Sequence, residues 1–249
     1  DLEPRWNWLI IALMLVSMLI GAFAGLAENS IRRVLGYQMI NGMPFILVML
    51  AFTSDDPQRA LAAGLLYTLH HMVTVAALIL TSGAIEETYA TGLLSQLSGL
   101  ARRDPLVAAL FAAGAFSLVG FPPFSGMWGK ILIVFEIARA ANWWSWLVIA
   151  VIVVASVGAL LSMLRVWREV FWGQPMQRYP SNLRVAKHLV APSALLIAGS
   201  VAMFLFAGPL IDATLTATGG LLDTEGYASA VLGDDPVGVP DMTDLQGGR

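Results

Sequence analysis

Cysteine is absent from all 249 residues. That absence excludes a disulfide framework and any thiolate-held metal or iron–sulfur site. Charge is scarce as well: 14 basic and 17 acidic residues make up 12% of the chain, about half of the roughly 25% carried by a soluble domain. So little charge excludes a soluble enzyme, a disordered chain and a nucleic-acid binder. What fills the chain is apolar, 57% of residues, with a mean hydropathy of +0.73. The class these values define is an all-α polytopic membrane protein.

A helix needs about 20 apolar residues to cross a bilayer. Uncharged runs cover 6–27, 34–53, 60–85, 105–129, 140–164 and 189–211. They predict about six transmembrane spans, the fourth continuing past Lys130 to about residue 139. The transmembrane domain is expected over 1–211, followed by an acidic, flexible external tail over 212–249. The first residues are Asp-Leu-Glu-Pro with no Met, so the chain is expected to be a piece of a longer polypeptide. Basic residues alternate between loops. Arg5, Arg59, Arg139 and Arg249 fall on the side of the N-terminus, four against nine on the other, where Arg32, Arg33, Arg102, Arg103, Arg165, Arg168, Arg178, Arg184 and Lys187 lie. Positive-inside asymmetry places the richer side in the cytoplasm and both ends of this segment outside. Trp6, Trp8, Trp143, Trp144, Trp146, Trp167 and Trp172 sit near span ends, where amphipathic rings favour the headgroup layer.

The fourth span is interrupted by Gly120-Phe121-Pro122-Pro123-Phe124-Ser125-Gly126-Met127-Trp128-Gly129-Lys130. Each proline removes a backbone donor and clashes with the preceding turn, and Pro123 pushes Pro122 out of the α region. Two half-helices are therefore expected, 105–119 and 126–139, joined by an extended loop. Irregular backbone at membrane depth survives only inside protein or beside water, and broken helices present free dipoles to ions or substrates. The loop residues Gly120, Pro122, Pro123, Ser125 and Gly126 thus mark a candidate site. Lys130 stands one turn beyond, nine residues from Arg139 and so roughly 14 Å along a helix. Burying it unpaired costs about 2.5–3.5 kcal/mol on the insertion scale, and a lysine at that depth is suited to carry a proton. The competing reading is a lysine snorkelling from a Pro-kinked helix.

Other polar groups lie inside the spans. His70 and His71 fall near the middle of the third, eleven and twelve residues after Arg59. An intramembrane histidine is a functional candidate; the alternative is a neutral ring bonded to a neighbouring helix. Adjacent residues point about 100° apart, so one of the two is expected to face the bundle interior. Thr68, Thr74, Thr81 and Ser82 offer a hydroxyl chain or simple helix packing. No carboxylate accompanies the histidines, so no metal site and no cofactor is expected. Glu136 and Arg139 are spaced to pair. Glu28, Arg32 and Arg33 are a candidate path entrance or a plain basic anchor, and Ser162, Arg165, Trp167, Arg168 and Glu169 an anchor or a subunit contact.

Three stretches resemble the antiporter-like membrane subunits shared by respiratory complex I and Mrp-type cation/proton antiporters: Ser30-Ile31-Arg32-Arg33-Val34-Leu35-Gly36-Tyr37, Leu66-Tyr67-Thr68-Leu69-His70-His71-Met72, and Gly120 to Lys130. The segment from Ser162 to Gly173 is similar to the D-type branch of the Mrp antiporters. The resemblance implies the second of two inverted five-helix repeats plus a final helix. It places the broken-helix lysine at Lys130 and the histidine of the preceding helix at His71. The family's other relay positions are occupied by Val75, Arg32 and Ser30. The function implied is the proton-conducting part of a Na⁺ or K⁺/proton antiporter subunit, a transporter rather than an enzyme of covalent chemistry. Its setting would be a multi-subunit complex of a bacterial-type plasma membrane, in contact with lipid and not with nucleic acid. A proton-pumping subunit of an NADH:quinone oxidoreductase and a non-conducting scaffold are the alternatives.

Overall fold

The computed structural model describes residues 4–180 and 182–232. The expected acidic tail lies outside the described residues from 233 onward. The helices are α1 (Pro4–Ala24), α2 (Ile31–Leu47), α3 (Pro57–Tyr89), the single turn α4 (Leu100–Arg103), α5 (Pro105–Val119), α6 (Gly126–Arg139), α7 (Trp143–Val166), α8 (Lys187–Leu205), α9 (Ala207–Leu222) and α10 (Thr224–Leu232). Short 3₁₀ turns extend α1 and α2, and a π turn at Trp167–Phe171 extends α7. With these extensions, five stretches are long and apolar enough to cross a membrane: Trp6–Ala27, Ile31–Phe52, Pro57–Tyr89, Trp143–Phe171 and Lys187–Leu205. The protein is a multi-pass membrane protein. Leu13, Val16 and Ile20 on α1 and Val153, Val157 and Leu161 on α7 are exposed, an apolar exterior of the kind that meets lipid or another membrane helix.

Local chemistry sets the helix ends. The Asp56 carboxylate accepts from the Arg59 amide at 3.1 Å, and Pro57 fills the first helical position of α3, where its missing donor costs nothing. Asn142 caps α7 through the Ser145 amide at 2.8 Å. In α5, Pro105 opens the helix and Gly120, at φ +103°, closes it. The Gly120 amide reaches back to the Phe116 carbonyl at 3.0 Å, and its left-handed backbone is open to glycine at no steric cost. The two helices thus end and restart where the half-helices 105–119 and 126–139 were expected.

The run 189–211 behaves differently from its sequence pattern. It divides at Phe206 between α8 and α9. The cause is Pro209, whose ring would collide with the carbonyl four residues back, that of Leu205. The boundary expected at residue 211 therefore falls inside α9. Thr214 and Thr218 are buried. Thr218 donates to the Gln58 carbonyl at 3.1 Å and Gln58 Nε2 to the Leu215 carbonyl at 2.8 Å, docking α9 on the start of α3.

α3 organises the interior. Its first part, Ala60 to Tyr67, belongs to an apolar cluster with Phe45, Ile133, Ile137, Val148 and Ile152. Its last part, Val75 to Tyr89, belongs to a second with Ile31, Val34, Phe111, Val166 and Phe171. The buried polar residues His70, His71 and Thr74 lie between these two dry regions. At the far end of α3, a buried clasp fastens the loop before α8: Tyr89 bonds Asp104, Asp104 accepts from the Val185 amide at 3.0 Å, and Arg103 donates to the Tyr179 and Pro180 carbonyls at 3.1 and 3.0 Å.

Candidate functional site

The break between α5 and α6 brings α3, α5, α6 and α8 together. His70 Nδ1 lies 2.8 Å from Ser125 Oγ, and Ser125 Oγ 2.8 Å from Ser200 Oγ on α8. Ser200 Oγ lies 2.9 Å from Ser117 Oγ, Ser117 Oγ 2.8 Å from Thr74 Oγ1, and Thr74 Oγ1 3.2 Å from His70 Nδ1. Five contacts close a ring. The Ser125 amide also donates to Ser200 Oγ at 3.3 Å.

Proton counting gives this ring a direction. Four hydroxyls each donate once, and Nδ1 either donates or accepts. If Nδ1 accepts, the bonds run from Thr74 through Ser117, Ser200 and Ser125 to the imidazole. If Nδ1 carries the proton, the order reverses. Either way one contact goes unmade, and 3.2 Å marks the weakest. The second nitrogen, Nε2, is buried without a partner, beside the α-carbon of Gly126.

Ser200 is the node that ties α8 to both sides of the break. Ser200→Ala leaves the Ser125 amide without this acceptor and the Ser117 and Ser125 hydroxyls with one partner each. We expect a loss of about 1–3 kcal/mol, the cost of orphaned buried groups, read as a lowered unfolding midpoint of the full-length complex in detergent. An unchanged midpoint would rule out the ring as a clamp.

Lys130 is half-buried. Its ammonium donates to the Val119 carbonyl at 2.8 Å and to Ser156 Oγ on α7 at 3.0 Å. Val119 ends α5, so the cation sits at the negative pole of that half-helix. No carboxylate pairs with it among the described residues. Nζ lies 5.5 Å from the Phe45 ring centroid. Phe45 stacks on Tyr67 at 5.2 Å, and Tyr67 stacks on His71 at 5.9 Å and meets His70 edge-on at 5.4 Å. Amine and imidazoles are thus linked through two aromatic rings, not by a hydrogen bond. On its open side Lys130 lines a groove of about 610 Å³ with Val119, Phe121, Val134, Ile152 and Ser156.

The structure therefore gathers Lys130, His70, Ser125, Gly120 and Gly126 at one place. Pro122 and Pro123 are exposed on the loop, joined by a cis peptide bond. His71, the position implied by the resemblance, does not bond the break; its ring lies against Gly42 with both nitrogens unpartnered. Arg32 and Glu28 stand apart, at the end of the bundle where α2 begins. Arg32 pairs with Glu86, and Arg33 with Glu28 at 3.5 Å. Arg165 pairs with Glu169 at 3.0 Å and donates to the Glu28 carbonyl at 2.8 Å. Glu136 and Arg139 pair at 3.9 Å, as their spacing predicts. Of the hydroxyls considered, Thr74 joins the ring, Thr68 bonds only its own helix, Thr81 bonds Ser193 at 2.6 Å and Ser82 has no partner. Ser117, Ser156 and Ser200 were missed. Their one sequence signal is a lone hydroxyl inside an apolar run.

This arrangement defines a class: a multi-pass membrane protein with a charged amine and a histidine–hydroxyl cluster at a helix break. A family profile described as NADH:quinone oxidoreductase/Mrp antiporter, TM, matches residues 2–158. The chain belongs to that family. It is 28% identical over 225 residues to the D subunit of the Na(+)/H(+) antiporter of Alkalihalophilus pseudofirmus, covering 90% of this chain and 44% of that protein. It is 30% identical over 224 residues to the N subunit of the NADH-quinone oxidoreductase of Parvibaculum lavamentivorans, covering 89% of this chain and 44% of that one. Among solved structures, one chain of the Mrp complex from Dietzia sp. DQ12-45-1b superposes with a TM-score of 0.83 at 32% identity, over 93% of this chain and 50% of that one. A chain of respiratory complex I from Thermus thermophilus shares the fold, with a TM-score of 0.71 at 22% identity over 87% of this chain and 46% of that one. The chain thus spans under half the length of the curated relatives it matches.

Proposed function

We propose that this chain is the proton-conducting part of a monovalent cation/proton antiporter subunit of the Mrp D type. α5, the loop and α6 together make a sixth, discontinuous span, and both ends of the segment face outside, as loop charge asymmetry favours. It works within a multi-subunit complex of a bacterial-type plasma membrane that exchanges Na⁺ or K⁺ for protons. The observation carrying this reading is the Lys130 ammonium, held at the carbonyl end of a broken helix with neutral partners alone. Such a group gains and loses a proton without breaking an ion pair. The histidine–hydroxyl ring beside the break adds a chain of donors that reverses with the state of His70. No covalent step and no cofactor is involved.

A second reading, supported by the likeness to the N subunit of the oxidoreductase, makes the same path part of a proton pump driven by quinone reduction. Purification of the full-length complex separates the two. Small Mrp-type subunits, together with acidification or alkalinisation of vesicles after a Na⁺ or K⁺ pulse, would support the antiporter. Copurifying NADH- and quinone-reactive subunits with no cation-driven ΔpH would overturn it in favour of the pump.

A further inference from the structure

A furrow runs along α7 from Lys130 to the end of the helix. Three hollows compose it. The groove of about 610 Å³ beside Lys130 shares Val119 and Leu160 with a second hollow of about 250 Å³ between α5 and α7. The second shares Leu164 and Trp167 with a third of about 410 Å³. Their floor on α7 is one stripe, Val153, Val157, Leu160, Leu164 and Trp167, at the three- and four-residue steps of a single helical face. The third hollow is lined by Leu26, Leu161 and Leu164 and, where α7 ends, by Arg165, Arg168 and Trp172. Arg165 is committed: it pairs with Glu169 and donates to the Leu26 and Glu28 carbonyls. Arg168 is exposed and makes no hydrogen bond or ion pair among the described residues. Trp172 is 65% exposed. Between them lies the π turn, closed by the Trp172 amide on the Trp167 carbonyl at 3.1 Å, a rare form that frequently marks functional sites.

A free cation and an amphipathic indole at the end of an apolar furrow match one kind of molecule, an anionic headgroup joined to a hydrocarbon chain. Basic pockets between membrane helices hold such headgroups, and indole rings settle at headgroup level. The length agrees. Ser156 to Arg168 is twelve residues, about 18 Å of helix. One leaflet of hydrocarbon is about 15 Å deep, half of a core of about 30 Å. A chain anchored at Arg168 therefore reaches the groove beside Lys130 and covers its open side. A partner helix would have to bring its own carboxylate to Arg168 at this level. A phospholipid carries phosphate and hydrocarbon in one molecule.

We infer that the furrow is a binding site for one anionic phospholipid, its phosphate at Arg168 and Trp172 and one acyl chain laid along α7 to Lys130. The lipid seals the side of Lys130 that the protein leaves open. The site stands whether or not Lys130 carries a proton.

Photo-crosslinking of the full-length complex in vesicles tests the site. The probe is a trace of phosphatidylglycerol with a diazirine in mid acyl chain, compared with the matching phosphatidylcholine, and the labelled peptides are read by mass spectrometry. The phosphatidylglycerol is expected to label Leu160 and Leu164 about fivefold more than the phosphatidylcholine, the weight of one basic residue against an anionic lipid. Arg168→Gln should remove most of that preference. Arg102→Gln, an exposed charge that does not line the furrow, should keep it. Leu164→Trp, which fills the furrow from an exposed position, should abolish label at Val157, nearer Lys130. Equal labelling by the two lipids would mean bulk lipid only and would overturn the inference. A preference that survives Arg168→Gln would do the same. Absence of label from either lipid would assign the furrow to a protein partner instead. The comparison of lipids on the unmodified complex decides even if the variants fail to assemble.

Discussion

Lys130→Ala in the full-length complex should lower Na⁺-driven ΔpH by at least about 100-fold, the lower range for removal of a positioned proton-transfer group. Lys130→Arg should do no better. Arginine restores the charge at the end of α5 and can still donate to the Val119 carbonyl and Ser156, but it does not release its proton. The pair of variants separates two roles that alanine alone confuses. A structural cation, needed only to neutralise the dipole of α5, is replaced by arginine. A carrier is not. Exchange by the arginine variant at the wild-type rate would sink the carrier role. Retained exchange in the alanine variant, with assembly impaired, would favour the scaffold.

Gly126→Ala should be among the most damaging one-carbon changes within the described residues. Its Cβ would fall 1.9 Å from the Ser117 carbonyl oxygen and 2.8 Å from His70 Cε1. The first of these is backbone, so α5 and α6 must separate to relieve it. Overpacking of this kind costs about 1–3 kcal/mol and sometimes more. The movement would also pull Ser125 from His70 and Ser200, opening the ring. We expect a lower unfolding midpoint and at least about a tenfold loss of exchange, since each 1.4 kcal/mol added to a barrier is about tenfold. Gly199→Ala is the control. It lies beside Ser200 on α8, and a Cβ there meets nothing within 4 Å. Its midpoint and exchange should stay at wild type or rise slightly, because alanine favours helix by up to about 1 kcal/mol over glycine. Equal behaviour of the two variants would disprove close packing at the break.

The break was legible in the sequence because its causes are local. Gly120, Pro122 and Pro123 forbid a continuous helix whatever surrounds them, and the two half-helices have the expected limits. Lys130 was legible for the same reason, as a charge in an apolar run. What the sequence hid is relational. Ser200 reads as an ordinary small residue, and only the packing of α8 brings it 75 positions back to Ser125. Glu86 gives no sign that it will meet Arg32. His70 and His71 are equivalent by composition; the roll of α3 decides that one bonds the loop and the other lies on Gly42. The division of 189–211 was readable in principle, since Pro209 is a local breaker, but the hydropathy of the run concealed it. The docking of α9 was obscured because Thr214 and Thr218 form a stripe of hydroxyls rather than of apolar side chains.

The unbroken length of α3 gives the histidines a mechanical setting. The helix has 33 residues and so is roughly 50 Å long. It is fastened at both ends, to α9 through Gln58 and to the clasp and Arg32 through Tyr89 and Glu86. His70 stands thirteen residues from Pro57 and nineteen from Tyr89, about 20 Å and 28 Å along a stiff rod. The imidazole therefore lies in the middle third of a helix held at both ends. The ring that spans the break is thus anchored to the stretch of α3 that lies well inside both fastenings.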